Sequence, residues 1–212
     1  MKTFLVVAFG LACNVACAAD GLSPKTFASS FGFSVDLDTG WVLLTPDRVT
    51  DSAAALTAAT LGVPDMSQPE LNEIVERIKT GQVEFYFDSV LSVPDLTNNV
   101  SVQLRDGTQD YGPASESEIS ALCASMPKEL EALWGTPVDV RGCKVVSSNG
   151  KAGLAYTYVI AANNMFVMQY ELPFGASQTA LVVGGGRLDN DVMTRVVTAV
   201  HAIAKSVMAQ TK

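Results

Sequence analysis

The sequence predicts an α+β fold built on an antiparallel sheet. Several segments alternate apolar and polar residues between turn residues, as half-buried strands do. Four of them follow one another over residues 138–183, which indicates an antiparallel meander. Three other stretches carry apolar residues at helical spacing. Strands and helices are thus mixed without the regular strand–helix alternation that a parallel sheet requires.

Residues 1–18 have the pattern of a secretory signal peptide. Lys2 supplies the positive charge, Phe4–Val15 is mostly apolar, and Ala16-Cys17-Ala18 supplies small residues for cleavage. The apolar stretch is shorter than the roughly 20 residues of a membrane-spanning helix. We therefore expect residues 19–212 to form a single domain that is secreted or periplasmic.

Two of the four cysteines, Cys13 and Cys17, lie in this signal. A lipoprotein signal has a Leu-like residue three positions before the modified cysteine, and neither cysteine has one. Simple cleavage is therefore favoured over lipidation. Cys123 and Cys143 remain in the mature chain, and an even pair in an oxidising compartment predicts a disulfide. Two buried free thiols are the alternative.

The composition restricts the classes of partner. A hydrophobic content of 48% argues against a disordered chain. A net charge of −8, with no basic cluster, argues against binding to nucleic acid or anionic membranes. No other apolar run approaches membrane-spanning length, so no membrane span is expected.

The first elements are predicted from turn and capping residues. Residues 31–37 and Trp41–Leu44 flank Asp38-Thr39-Gly40, which predicts a β-hairpin. Residues 51–61 are alanine-rich and predict a helix. A second helix begins after Ser67, because Glu70 completes a capping box. Its apolar face carries Leu71, Ile74, Val75 and Ile78, and Gly81 ends it.

The middle of the chain predicts two strands and a long helix. The strands are residues 83–90, centred on Phe85-Tyr86-Phe87, and Asn99–Leu104. The helix is Ser115–Trp134, which Pro127 should kink or divide. Trp41 and Trp134 are expected to pack in the core or at a helix end.

The last third predicts the meander and a closing helix. The strands are residues 138–147, 152–161, 166–172 and 179–183, with Asn149-Gly150 as a hairpin turn. Gly184-Gly185-Gly186 is predicted to end the last strand. Asp189 or Asn190 then caps an amphipathic helix. Its apolar residues are Val192, Val196, Val197, Val200, Ile203, Ala204 and Val207.

Three segments carry a resemblance to a known family: Phe33–Trp41, Asn149-Gly150-Lys151-Ala152, and Gly184–Val207. With the order of elements, they resemble the PsbP-like superfamily of PsbP, Ran-binding Mog and periplasmic DcrB-type proteins. The resemblance implies an α/β/α sandwich around a central antiparallel sheet. It implies a binding or accessory role, usually toward another protein, and no shared catalytic residue. Residues 49–80 depart from the pattern as a helical insert.

Catalytic chemistry has little support in the sequence. His201 is the only histidine, and its position between Val200 and Ile203 is typical of helix packing. No Gly-x-Ser-x-Gly motif is present, so a hydrolase is not expected. We predict no enzyme activity and no cofactor.

Two segments are candidate ligand sites. Gly184-Gly185-Gly186-Arg187 before a helix could bind an anion, although a turn with positive φ is the simpler interpretation. Asp36 and Asp38 form a fragment of a calcium loop, although aspartates also occur in ordinary turns.

Glu84, Tyr86 and Asp88 are the predicted partner-binding residues. Alternation places them opposite Phe85 and Phe87, so they lie on an exposed face if the phenylalanines are core. Packing of the strand beneath a helix is the alternative. The sequence therefore predicts a non-enzymatic secreted protein that binds another protein, for which a basic partner suits the acidic surface. An immunity protein that neutralises an effector is one version, and a small-ligand or metal-binding module of the cell envelope is the alternative.

Overall fold

A computed structural model describes residues 24–51, 56–60, 66–92, 97–148 and 150–210. The predicted signal peptide lies outside these residues. The strands are β1 (Lys25–Ala28), β2 (Ser34–Leu37), β3 (Trp41–Leu44), β4 (Val83–Asp88), β5 (Asn99–Asp106), β6 (Asp139–Ser148), β7 (Lys151–Ile160), β8 (Met165–Phe174) and β9 (Gln178–Arg187). The helices are α1 (Pro46–Asp51), α2 (Gln68–Lys79), α3 (Glu116–Trp134) and α4 (Asn190–Ala209), with a 3₁₀ turn at Ala161–Asn163.

A seven-stranded antiparallel sheet forms the centre of the molecule, in the order β3-β4-β5-β9-β8-β7-β6. Strands β6 to β9 are sequential neighbours, which confirms the predicted meander. Strands β1 and β2 form a separate two-stranded sheet. The central sheet therefore contains both sequence-local and long-range strand pairs.

The register shows which residues share a face of the central sheet. One row across six strands consists of Phe85, Ser101, Val183, Gln169, Tyr156 and Cys143. Helices α2 and α3 pack on this face, whereas α4 and the β1–β2 sheet pack on the other. Helices thus cover both faces of an antiparallel sheet, which confirms the predicted α+β sandwich.

Helix α4 supplies much of the largest core. Its N-cap is Asp189, whose carboxylate accepts hydrogen bonds from the backbone N–H groups of Asp191 and Val192. The buried residues of α4 are Val192, Val196, Ala199, Val200, Ile203, Ala204 and Val207. Among the described residues, α4 is the one helix long and apolar enough to cross a membrane by length and composition. Its apolar face packs on β8 and β9, as a core helix does.

The three glycines before α4 belong to a strand, so the prediction that they end it was wrong. Strand β9 continues to Arg187, and none of the three glycines has a positive φ. A Cβ on Gly184 would lie 2.2 Å from a methyl carbon of Val200 and 2.9 Å from one of Val196. The glycines therefore let α4 approach the sheet closely.

The predicted β-hairpin was also wrong, although both of its strands form. β2 pairs with β1, and β3 pairs with β4, so residues 38–40 connect two different sheets. The partner strand β1 lies in a segment with little alternation, and the sequence therefore gave no sign that it would compete for β2.

Two helix predictions need correction. The first helix is Pro46–Asp51, so it begins earlier than the helix predicted at 51–61. Of that prediction, residues 58–60 form a turn, and residues 52–55 and 61 lie outside the described residues. α1 and α2 pack together beside β4, in a second core cluster that contains Leu44, Leu71, Phe85 and Phe87. α3 runs as one helix through Pro127, so it is not divided there.

Candidate functional site

Strand β4 does not present an exposed face, which corrects the predicted partner-binding surface. The exposed fractions of Glu84, Tyr86 and Asp88 are all 0%. The β1–β2 sheet covers their side of the strand, where Phe27 packs edge-on against Tyr86. The three residues cannot contact a partner while this layer is in place.

Glu84 is held by groups from the covering layer. One carboxylate oxygen accepts hydrogen bonds from the Ser30 N–H and hydroxyl, both at 3.0 Å. The other accepts a 2.8 Å hydrogen bond from the Tyr86 hydroxyl. Burial raises the pKa of Glu84 above its ordinary value, and these hydrogen bonds oppose the shift. Glu84 thus fixes the β1–β2 layer to the sheet.

Asp88 forms a buried ion pair with α4. Its Oδ1 lies 2.9 Å from Nε of Arg195, and the side chain of Arg195 is only 17% exposed. Arg195 also donates to the carbonyl of Thr39 and lies over the ring of Trp41. The second oxygen of Asp88 has no hydrogen-bond partner. This pair fixes α4 against the end of β4.

The structure gives little support to a metal or anion site. Asp36 and Asp38 are exposed, and Asp36 accepts a hydrogen bond from the Thr26 hydroxyl. No group of three potential metal-ligating side chains occurs among the described residues. The anion site was predicted as a loop before a helix, but residues 184–187 belong to strand β9 and form no loop.

His201 lies on the exposed side of α4. Its Nδ1 is 2.7 Å from the Tyr170 hydroxyl, and the two rings meet edge to face. Burial of the ring is the main cause that lowers the pKa of His201. The contact agrees with the predicted packing role.

The disulfide between Cys123 and Cys143 is formed, as predicted. It joins the middle of α3 to β6 at the face opposite α4. Met126 is the one buried residue of this 19-residue helix. α3 therefore buries few side chains against the sheet, and the disulfide tethers it there covalently.

A cavity of about 550 Å³ lies between α3 and the sheet. The disulfide itself lines it, together with Tyr111, Ile119, Val145 and Ala152. Helix α3 begins with a full capping box between Ser115 and Glu118, which fixes the edge of the cavity. A cavity of this size with a mainly apolar lining is typical of small-molecule sites.

Two smaller cavities, each of about 190 Å³, adjoin this region through shared residues. The first shares Tyr111 with the large cavity and contains Tyr156 and Glu171. The second shares Glu171 with the first and contains Arg105. The region around Tyr111 and Glu171 is therefore the main candidate site.

Sequence reasoning missed Tyr111, Tyr156 and Glu171. The signal lay in β8, where Phe166, Met168, Tyr170 and Leu172 alternate with more polar residues that include Gln169 and Glu171. That alternation places Glu171 on the α3 face of the sheet. The sequence could not show that α3 would leave space above it.

The C-terminal end of α3 exposes apolar side chains. Leu133 is 74% exposed and Trp134 is 39% exposed. Trp134 is the last residue of α3 and shares a side-chain hydrogen bond with Tyr158, which agrees with the helix-end alternative of its predicted packing. The acidic side chains of Glu129 and Glu131 lie exposed on the same end of the helix. The result is an apolar tip with an acidic border.

Two solved structures are similar to the chain. The solution structure of cyanobacterial PsbP (CyanoP) from Synechocystis sp. PCC 6803 has a TM-score of 0.45 and 13% identity, over 90% of this chain and 95% of that chain. The crystal structure of the Saccharomyces cerevisiae Ran-binding protein Mog1p has a TM-score of 0.44 and 11% identity, over 89% and 94%. These structures carry the names of two proteins of the superfamily that the sequence resembles. No protein-family model and no curated protein matches the chain.

Proposed function

We propose that this chain is a non-enzymatic binding protein that acts in the periplasm or outside the cell. We further propose that it binds a basic protein through the α3 side of the molecule. An immunity protein that neutralises a cationic effector is one concrete version. That version requires a tight complex and no turnover of a small substrate.

The observation that carries this proposal is the apolar tip of α3. Leu133, exposed by 74%, and Trp134 are neighbouring apolar side chains at the surface. An exposed apolar patch with a polar border is typical of protein-interaction sites. Tryptophan, here Trp134, is among the residues that contribute most to protein interfaces. We take these two side chains as the centre of the binding surface.

Charge favours a basic partner over other proteins. α3 carries Glu116, Glu118, Glu129 and Glu131 but one lysine, Lys128. The whole chain has a net charge of −8. Opposite charge on the partner would speed association and exclude acidic competitors.

The disulfide supports a location outside the cytoplasm. Structural disulfides persist in oxidising compartments and are rare in the reducing cytosol. We propose a signal peptide at residues 1–18 and one domain at 19–212, a division that would place the protein in such a compartment.

The test is capture from envelope extract with three forms of the mature protein. The first is wild type, the second is Leu133→Ser with Trp134→Ala, and the third is Glu129→Lys with Glu131→Lys. The control variant Glu73→Lys with Glu76→Lys reverses the same charge on exposed α2 residues. Bound proteins are identified and quantified by mass spectrometry.

We expect one basic protein to be retained by wild type and by the α2 control and lost by both α3 variants. Equal retention by all forms would place the partner elsewhere and contradict the α3 surface. If wild type retains no more protein than a control bait of similar net charge, the proposal as a whole is contradicted.

A second candidate function is binding of a small ligand in the cell envelope. The cavity of about 550 Å³ under α3 favours it. Ser120 lines this cavity, so Ser120→Trp should fill part of it. If a small ligand binds there, the variant should lose the rise in melting temperature that the ligand causes in wild type, but it should still capture a protein partner. Loss of capture without loss of the ligand effect would reject this candidate.

A further inference from the structure

The first of the 190 Å³ cavities combines apolar walls with one carboxylate. Leu122, Met126 and Leu130 of α3 form one side, and Leu154 and Tyr156 of β7 form the other. Glu171 of β8 lies between them, paired across the sheet with Leu154 and Leu181. The carboxylate is therefore set in a largely apolar wall.

Neutral groups of this chain orient the Glu171 carboxylate. The Tyr111 hydroxyl donates to Oε2 at 2.7 Å, and the Tyr156 hydroxyl and the Gln169 amide donate to Oε1, both at 3.1 Å. Burial is the main cause that raises the pKa of both tyrosines above the ordinary value, and the nearby Glu171 raises it further. Both hydroxyls thus stay protonated and act as donors.

Among the residues that the structure describes, none supplies a cation to this carboxylate. Among the described residues, no nitrogen of Lys, Arg or His lies within 4.0 Å of Glu171. Arg105 lines the cavity on the other side of Glu171 but forms no ion pair with it. Glu129 borders the cavity and adds negative charge, while its carboxylate accepts a hydrogen bond from Ser125.

We propose that this cavity binds the ammonium group of an alkyl chain, with Glu171 as the anionic partner. An ammonium group and a carboxylate form charge-assisted hydrogen bonds, which are stronger than neutral ones. Tyrosine rings attract a nearby cation. The leucine and methionine side chains contact the methylene groups, as apolar surfaces do with lysine stems.

This inference goes beyond the proposed function and does not depend on it. The same chemistry occurs in a free alkylamine and in a lysine side chain of a basic partner. The apolar tip at Leu133 and Trp134 is a separate surface, so each can fail without the other.

The test is a titration of full-length mature protein with n-butylammonium chloride, followed by calorimetry and by thermal unfolding. The neutral analogue 1-butanol and ammonium chloride at the same ionic strength serve as ligand controls. Glu171→Gln removes the charge and keeps the shape. Glu73→Gln removes one exposed charge from α2, away from the cavity, and is the matched control.

We expect wild type and Glu73→Gln to bind butylammonium equally, and Glu171→Gln to bind it about tenfold to a hundredfold more weakly. 1-Butanol should bind weakly to all forms. If Glu171→Gln is unfolded, Leu130→Trp decides, because it fills the cavity without removing the carboxylate. Equal binding by Leu130→Trp and wild type, or no binding by wild type, would overturn the proposal.

A lysine-containing peptide distinguishes the two sources of the ammonium group. Nα-acetyl-lysine methylamide that binds more tightly than butylammonium supports a partner's lysine, and the reverse supports a free amine. Failure of both ligands contradicts the site itself.

Discussion

Removal of the disulfide should destabilise the protein and release α3 from the sheet. The perturbation is Cys123→Ala with Cys143→Ala. The cysteines are 20 residues apart, and closing a loop of that size in the unfolded chain contributes about 3 kcal/mol. For a protein of this length that corresponds to a fall in melting temperature of about 6–12 °C.

The assay is urea and thermal unfolding of oxidised wild type, wild type with reductant, and the double variant. Reduced wild type and the variant should unfold at similar midpoints. Hydrogen exchange should quicken first in α3, since Met126 is its one buried side chain. A change below about 1 kcal/mol, or exchange that quickens uniformly, would refute the argument that the disulfide is the tether of α3.

Three further predictions concern the core. Gly184→Ala should lower the free energy of unfolding by about 1–3 kcal/mol, because the new methyl group overpacks against α4. The control Gly142→Ala has no atom near its Cβ position and should lower it much less in the same thermal melts. Equal losses of stability in the two variants would contradict this. Because burial raises the pKa of Glu84 in the folded protein above 4.5, wild type should gain stability relative to Glu84→Gln at low pH. This gain should be lost as the pH rises through the folded pKa. A stability difference between the two proteins that does not change with pH would contradict the shift. Arg195→Met should cost about 3–5 kcal/mol in urea unfolding by leaving Asp88 buried without its cation, and adding Asp88→Asn should recover part of the loss; additive losses would count against the ion pair.

The elements that local patterns determine were predictable from the sequence. The N-cap Ser67 of α2, the N-cap Asp189 of α4 and the meander depend on residues close together in the chain. The disulfide followed from the number of cysteines and the compartment. These features need no knowledge of which strands pair at long range.

Apart from the bounds of the first helix and the effect of Pro127, which are local, the failures involve contacts between distant segments. The pairing of β2 with β1, rather than with β3, depends on which sheet each strand joins. Burial of Glu84 depends on Ser30, 54 residues away. The glycines of β9 were mistaken for a turn because the sequence does not show how closely α4 approaches. The candidate site was missed for the same reason, since it is a space between α3 and strands distant in sequence.

The three acidic side chains on β4 and β8 differ in how the protein compensates for their burial. Glu84 receives hydrogen bonds from the β1–β2 layer, and Asp88 receives a guanidinium from α4. Both contacts join layers of the fold, so their role is structural.

Within the described part of the chain, Glu171 receives hydrogen bonds from neutral donors alone, and it borders open space. Its partial burial and orientation are already costs of folding, so a cation that enters the cavity gains a positioned carboxylate without further reorganisation. That difference, rather than the number of acidic residues, is why Glu171 and not Glu84 or Asp88 is the carboxylate that we expect to bind a ligand.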